Sequence, residues 1–174
     1  QMEQLALLLE TTTRLSKINQ ALIFLTKIDN RFYTEGSTFA INDLLKEKLT
    51  MFSELIASKN IVLKLDVLDT THVYMDKYLA DTLLMNLIKN ALLHNQQGGE
   101  LSIKLANNRL SISNSGKPLT FDETDIFKRF IRSEHNKKSL GIGLSVVKSI
   151  CELYDFSLHY NYDGMHHFSI NFKN

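Results

Sequence analysis

Proline occurs once in this sequence, at Pro118, and cysteine once, at Cys151. A lone cysteine excludes an internal disulfide framework and any zinc site built on several cysteines, and it suits a reducing compartment. Neither sign of charge dominates: 20 basic residues stand against 19 acidic ones, a net charge of +1. That balance leaves no electrostatic footprint for DNA or RNA, so nucleic acid is not expected as a partner. No run of about 18 apolar residues occurs, the length that a membrane-spanning helix needs. No signal peptide is evident and the first residues already read as helix, so the sequence is expected to be a piece of a longer protein. Its 174 residues, 44% of them hydrophobic, suffice for one well-cored domain and an additional element.

What is present begins with a long helix over 1–33. Leu8, Leu15 and Leu22 repeat every seven residues, and so do Thr11, Ile18, Leu25 and Phe32. This is the a/d seam of a coiled coil or helical hairpin, and one amphipathic helix cannot bury its stripe alone. A partner helix or a second copy is expected to cover it, with packing on the chain's own domain as the alternative. Residues 34–37, with Gly36 and Ser37, read as a linker. A second amphipathic helix is expected over about 42–58, carrying Leu44, Leu45, Leu49, Phe52, Leu55 and Ile56. "IVLKLDV" (61–67) and "HVYM" (72–75) alternate as strands do, and a helix over 76–95 ends at Gly98-Gly99. "LSIKL" and "RLSIS" make a hairpin across Ala106-Asn107-Asn108. Residues 114–140 read as irregular and lid-like, 143–154 as helix, and two strands close the chain around Asp163-Gly164. Helices and a mostly antiparallel sheet segregate, which predicts a two-layer α/β sandwich with a mixed sheet, preceded by a long helix.

Four features carry chemistry. The first is "MNLIKNALLHN" (85–95), where two asparagines stand four residues apart in an apolar helix. Asparagine is a poor helix former, roughly 0.5 kcal/mol or more worse than alanine. Asn86 and Asn90 fall at one edge of the stripe formed by Ala80, Leu84, Leu87 and Ala91, as a cleft wall would. A neutral amide oxygen there can take a hard cation, and its NH2 can donate to an oxyanion. The second is "SLGIGLSVVKSI" (139–150), where Gly141 and Gly143 open a helix. Glycine lets backbone N–H groups approach a ligand closely, and a helix N-terminus favours phosphate. The third is "SISNSGKPL" (111–119), a strand running into Asn114 and then Gly116. The fourth is "IFKRFIRSEHNKK" (126–138), with Phe127 and Phe130 among Lys128, Arg129, Arg132, Lys137 and Lys138. A basic, aromatic-anchored loop facing a phosphate site is a plausible lid.

The order of the four is specific. It resembles the ATP-binding catalytic domain of sensor histidine kinases, in the wider family shared with gyrase-type and chaperone ATPases. "NLIKNA" is similar to the N box, "NSG" to a worn G1 box, "IFKRF" to the F box and "GIGL" to the G2 box. The resemblance covers about residues 38–174 and implies the Bergerat-type ATP-binding fold. Residues 1–33 resemble the second helix of the dimerisation and phosphoacceptor hairpin that precedes such domains.

By that resemblance Asn90 would ligate Mg²⁺ bridging the phosphates of ATP, with Asn86 beside it holding phosphate or metal-bound water. Asn114 stands where the family usually has an aspartate that accepts from the adenine amino group. Gly116 matches the first G1 glycine, but Lys117-Pro118-Leu119 follows where a second is usual. Gly141 and Gly143 would cradle the phosphates, and Ser139 replaces another glycine. Phe127 and Phe130 would anchor the lid, and Arg129 or Arg132 would approach the γ-phosphate. His94 would border adenine, and Leu93 replaces a commonly basic residue beside it. The implied partners are a histidine-bearing hairpin of the same or a second protomer and a response regulator, in a homodimeric full-length protein. The implied location is the cytoplasmic side of a membrane-bound sensor. Residues 1–33 contain no histidine, so the phosphoacceptor is expected outside this chain. A degenerate nucleotide-binding or protein-interaction module without kinase activity is the alternative, motivated by Asn114, Ser139 and Leu93. A free-standing ATPase is a third. His166 and His167 alternate faces of a strand, which argues against a shared zinc ion.

Overall fold

In the computed structural model, which describes residues 2–33, 35–131 and 140–173, a long helix leads into a two-layer α/β domain. Helix α1 (Met2–Asp29) is followed by β1 (Ser37–Ala40), α2 (Ile41–Met51), α3 (Ser53–Ser58), β2 (Val62–Val67) and β3 (His72–Met75). Then come α4 (Lys77–Leu93), β4 (Glu100–Ala106), β5 (Arg109–Ser115), a 3-10 turn at Glu123–Asp125, α5 (Gly143–Leu153), β6 (Ser157–Tyr162) and β7 (Met165–Asn171). The main sheet runs β2-β4-β5-β7-β6; β2 pairs with β4 in parallel and the other neighbours are antiparallel. Strands β1 and β3 form a separate two-stranded ribbon. The mixed sheet and two layers are those the sequence pattern predicts.

Alternation along the strands builds the core. In β5, Leu110, Ile112 and Asn114 point inward and alternate with partly exposed Ser111 and Ser113. Leu101, Ile103 and Leu105 of β4 share that inner face, as do His166, Phe168 and Ile170 of β7. Helices α4 and α5 pack on one another and on this face. Ala80, Leu84, Leu87 and Ala91 of α4 are all buried, as their spacing predicts.

Three boundaries differ from the sequence reading. Helix α1 stops at Asp29 rather than continuing to residue 33. Arg31 adopts φ +54°, its N–H donates to Ile28 O and that of Phe32 donates to Lys27 O, the double bond pattern of a Schellman cap. Phe32 therefore leaves the seven-residue seam and is exposed. The expected helix over 42–58 is two helices that break at Phe52, which lets Ile56 return to the core. The hairpin turn is Asn107-Asn108 alone, both at positive φ, because Ala106 still pairs with Arg109.

Along α1 the two ends differ. Leu25 and Ile28 are fully buried and the last turns pack against α5. Leu5, Leu8, Leu9 and Leu15 are exposed. Its end thus packs on its own domain, the alternative raised for this helix, and its first half keeps an uncovered leucine surface. Among the described residues no helix is long and apolar enough to cross a membrane.

Candidate functional site

Helix α4 sets the site. Asp76 caps it, accepting from Leu79 N at 3.0 Å, and the Asp76 N–H donates to Tyr154 Oη at the end of α5. At its other end Lys59 Nζ donates to Leu92 O at 2.7 Å, a cation on the carbonyl end where the helix dipole favours it. So fixed, α4 presents Asn86, Asn90 and His94, all half-buried, along one edge of its core stripe. Asn86 and His94 are roughly two turns apart, about 12 Å along the axis. They stand at the two ends of this helix edge.

One end lies between α4 and α5. Asn86 Nδ2 donates to Thr82 O at 2.8 Å, which fixes the amide and frees its oxygen. That oxygen faces the first residue of α5: a Cβ on Gly143 would lie 2.8 Å from Asn86 Oδ1. Glycine at 143 is thus required by the close approach of the two helices. Helix α5 begins at an apolar N-cap, Ile142, which offers no side-chain cap to its first N–H groups. The Asn90 amide makes no hydrogen bond to the described residues. Gly141 sits at φ +68°, and a Cβ there would meet Ile131 O at 2.5 Å. Its carbonyl accepts from Phe130 N at 2.7 Å, so Gly141 ties the lid segment to the entry of α5.

The other end lies where β5 leaves the sheet. Asn114 is fully buried, paired in register with Leu101 on one side and His166 on the other. Its Nδ2 donates to Ser115 O at 2.9 Å, while Oδ1 is buried without a partner. A buried acceptor left unmet costs about 1–3 kcal/mol, so this atom fits a donor that arrives with a ligand. Gly116 is wedged between β7 and α4: a Cβ would lie 2.7 Å from His166 Cδ2 and 2.8 Å from His94 O. Burial, then the neighbouring His166 and Lys59, lower the His94 pKa. Burial likewise lowers that of His166, so both rings are neutral at pH 7.

The structure sets Asn86 against Gly143 and Gly116 against His94 and His166, the strand partner of Asn114, with Asn90 between Asn86 and His94 on the same helix edge. It distributes the lid residues differently from the sequence expectation. Phe127 does anchor the segment, edge-on to Phe168 with ring centroids 6.4 Å apart. Phe130 does not: it is 49% exposed, with φ +66°. Arg129 is turned to α1, where Nη2 donates to Asp29 Oδ2 at 2.9 Å, rather than toward the Gly143 end of the cleft. Arg132, Lys137, Lys138 and Ser139 lie outside the described residues. Burial pushes the Cys151 thiol up to about 12, so it is no reactive thiolate.

Three polar side chains support the Asn114 end: Tyr160 and Tyr162, which the sequence reading passed over, and His166, which it weighed only as a metal ligand. On the opposite face of the sheet, Ser113 Oγ, His167 and Asp163 form a hydrogen-bonded chain, with 2.7 Å at each link. Ser113 lies inside a strand paired on both sides, so the neighbouring backbone N–H groups are committed to the ladders. No oxyanion site accompanies it, and the chain is a surface network. His166 and His167 do face opposite ways, as their alternation predicts.

The chain belongs to the family of histidine kinase-, DNA gyrase B- and HSP90-like ATPases, whose model matches residues 75–173, more than half of it. It is 28% identical over 151 residues to the heme sensor protein HssS of Staphylococcus saprophyticus, covering 83% of this chain and 33% of that one. It is 27% identical over 165 residues to the sensor histidine kinase HprS of Escherichia coli, covering 91% and 36%. The chain thus spans about a third of the length of these curated relatives. Its fold is that of the histidine kinase AdeS of Acinetobacter baumannii, with a TM-score of 0.74 at 24% identity over 95% of this chain and 81% of that one.

Proposed function

We propose that this chain is the ATP-binding part of a sensor histidine kinase and transfers the γ-phosphate of Mg²⁺–ATP to a histidine outside it. The observation that carries the reading is Asn114 Oδ1, a buried acceptor without a partner among the described residues, beside the end of α4 whose earlier turn, at Asn86, meets the start of α5 at Gly143. Adenine brings an amino donor and ATP brings phosphate, at opposite ends of one molecule. In this reading Asn114 accepts from the adenine amino group and His94 borders the ring as a neutral imidazole. The α5 N-terminus beside Gly143 and Asn86 takes the phosphates. Gly141 shapes the approach to that end through the lid backbone.

The residues present fit a magnesium ion. Asn90 offers a half-buried amide with no hydrogen bond to the described residues, and Mg²⁺ is commonly held by few protein oxygens, substrate phosphates and water. Bound there, Mg²⁺ would supply charge neutralisation between the phosphates. The chain's own part is positioning, which is most of what phosphoryl transfer asks of a protein. The bond broken is that between the γ-phosphorus and the bridging oxygen, ADP keeping the oxygen; the bond formed is phosphorus to a ring nitrogen. Residues 1–33 lack a histidine, so the acceptor belongs to a hairpin segment of the same or a second protomer. The leucine-bearing first half of α1 suits docking of such a hairpin and a homodimer of the whole protein. A phosphohistidine then passes its group to a response regulator. In our reading the domain works on the cytoplasmic side of a membrane, a reading supported by its similarity to sensor proteins.

Calorimetry of ATP with and without Mg²⁺ tests binding: the native chain should bind with magnesium, and Asn90→Ala should lose that dependence. Transfer is tested with γ-labelled ATP and a supplied histidine-bearing hairpin. No label on the hairpin would refute the transferase reading. Binding without transfer would support a nucleotide-binding or interaction module, and steady phosphate release by this chain alone would support an ATPase.

A further inference from the structure

Two successive carbonyls follow β5, one held by a side chain from the neighbouring strand β7 and the other by one from the edge strand β6. Tyr162 Oη donates to Gly116 O at 3.3 Å, and His166 Nε2 lies 2.9 Å from Lys117 O. A carbonyl only accepts, so Nε2 carries the hydrogen. The other ring nitrogen, Nδ1, lies 2.8 Å from Tyr160 Oη and in the neutral ring accepts from it. The chain therefore runs from the Tyr160 hydroxyl through the His166 ring to the Lys117 carbonyl, with a fixed tautomer. His166 is 5% exposed and faces Asn114 across the strand pair. Its ring also fills the space beside Gly116, where no Cβ fits.

The loop needs such holding. Pro118 brings no N–H and fixes its own φ, so the segment after Gly116 has few backbone means of fastening itself. Asn114 is two residues from the clamped carbonyls, and its amide orientation depends on Ser115 O staying in place. Ser115 is the last residue of β5, paired with Met165, so a loop that lifted at Gly116 would fray the strand end that carries the Ser115 carbonyl, and the Asn114 amide would lose the bond that fixes it.

We infer that His166 is a positioning residue for recognition of the nucleotide base: with Tyr160 and Tyr162 it clamps the Gly116–Lys117 loop so that Asn114 Oδ1 stands as a fixed acceptor for an amino-bearing purine. The inference rests on the nucleotide reading given above. It assigns base discrimination to a residue that touches no part of the nucleotide itself.

The test compares ATP with inosine triphosphate, which has the same phosphates and sugar but a carbonyl where adenine has its amino group. Calorimetry on the whole chain gives the ratio of the two dissociation constants. The native chain should prefer ATP by about tenfold, the value of one good hydrogen bond. In His166→Ala that preference should fall to within about twofold, while binding of inosine triphosphate stays within about threefold of native. His166→Gln, whose amide can still donate to Lys117 O, should restore most of the preference. Tyr160→Phe removes one hydroxyl from the relay and should reduce the preference by an intermediate factor, even where His166→Ala folds poorly. An unchanged ratio in His166→Ala and Tyr160→Phe, with ATP bound normally, would overturn this inference alone. An equal loss for both nucleotides would also overturn it, since a merely structural role predicts that. Failure of the native chain to bind either nucleotide would overturn the underlying reading as well.

Discussion

Arg129 Nη2 donates to Asp29 Oδ2 at 2.9 Å, joining the segment after β5 to the last turn of α1. Both side chains are well exposed, so the pair contributes about 0–1 kcal/mol and is weakened by salt. The guanidinium is engaged away from the α4–α5 cleft. Arg129→Ala should therefore leave the ATP dissociation constant within about twofold of native by calorimetry and lower stability in urea by less than about 1 kcal/mol. A tenfold loss of ATP affinity would show that Arg129 swings to the phosphates.

Asn114→Leu separates stability from binding. It removes an acceptor that the ligand-free protein leaves unmet together with the Nδ2 donor to Ser115 O, two opposing changes, so thermal stability should stay within about 1 kcal/mol of native. ATP affinity should fall about tenfold, for the loss of one buried hydrogen bond. Melting curves and calorimetry on the same sample check both halves.

Gly143→Ala tests the close approach of α4 and α5. Alanine at a helix position is ordinarily favoured by about 0.5–1 kcal/mol over glycine. Here its Cβ would press on Asn86 Oδ1, the far end of a side chain that can swing aside. Stability should change by less than about 1 kcal/mol while Mg²⁺–ATP binding weakens at least about tenfold, because the swung amide occupies the phosphate end. Normal ATP affinity in this variant would mean that the phosphates bind elsewhere.

Acid should destabilise the fold before the carboxylates titrate. Burial holds His94 and His166 below their ordinary value of 6.5. Below that value the unfolded chain takes up protons that the folded one refuses, so unfolding is favoured as pH falls. The stability tied to their neutral state is present above about pH 6.5 and lost as pH falls toward the folded-state values. The thermal midpoint should drop between pH 7.5 and pH 5.5, and His166→Gln should drop less. Equal drops in both proteins would rule out His166 as a source of the effect.

The sequence made the layers and the cleft legible through short-range signals. The four-residue spacing of Asn86 and Asn90 placed them at a helix edge, and the structure has them there. The strand running into Asn114 was legible, whereas its burial in line with Leu110 and Ile112 emerged only from the structure. What remained hidden was set by register between distant segments. His166 meets Asn114 because β7 pairs with β5 in one particular alignment, and no spacing in the chain records that. Arg129 looked free for a phosphate because Asp29 is far away in sequence. Helix α1 looked longer because its seven-residue pattern continues through Phe32, whereas an unpredictable left-handed residue, Arg31, ends it.

The pairing order of the sheet also bears on how the molecule reaches its working state. The β4–β5 and β6–β7 hairpins join neighbouring segments and can form early, whereas the parallel β2–β4 contact and the β5–β7 contact close long stretches of chain and come late. Asn114 and His166 sit on the two sides of that late β5–β7 seam. A partly folded chain with both hairpins made would still have no fixed acceptor for a base. Ligand binding can then favour the completed fold alone, so nucleotide concentration would set not only how much of the protein is occupied but how much of it is fully assembled.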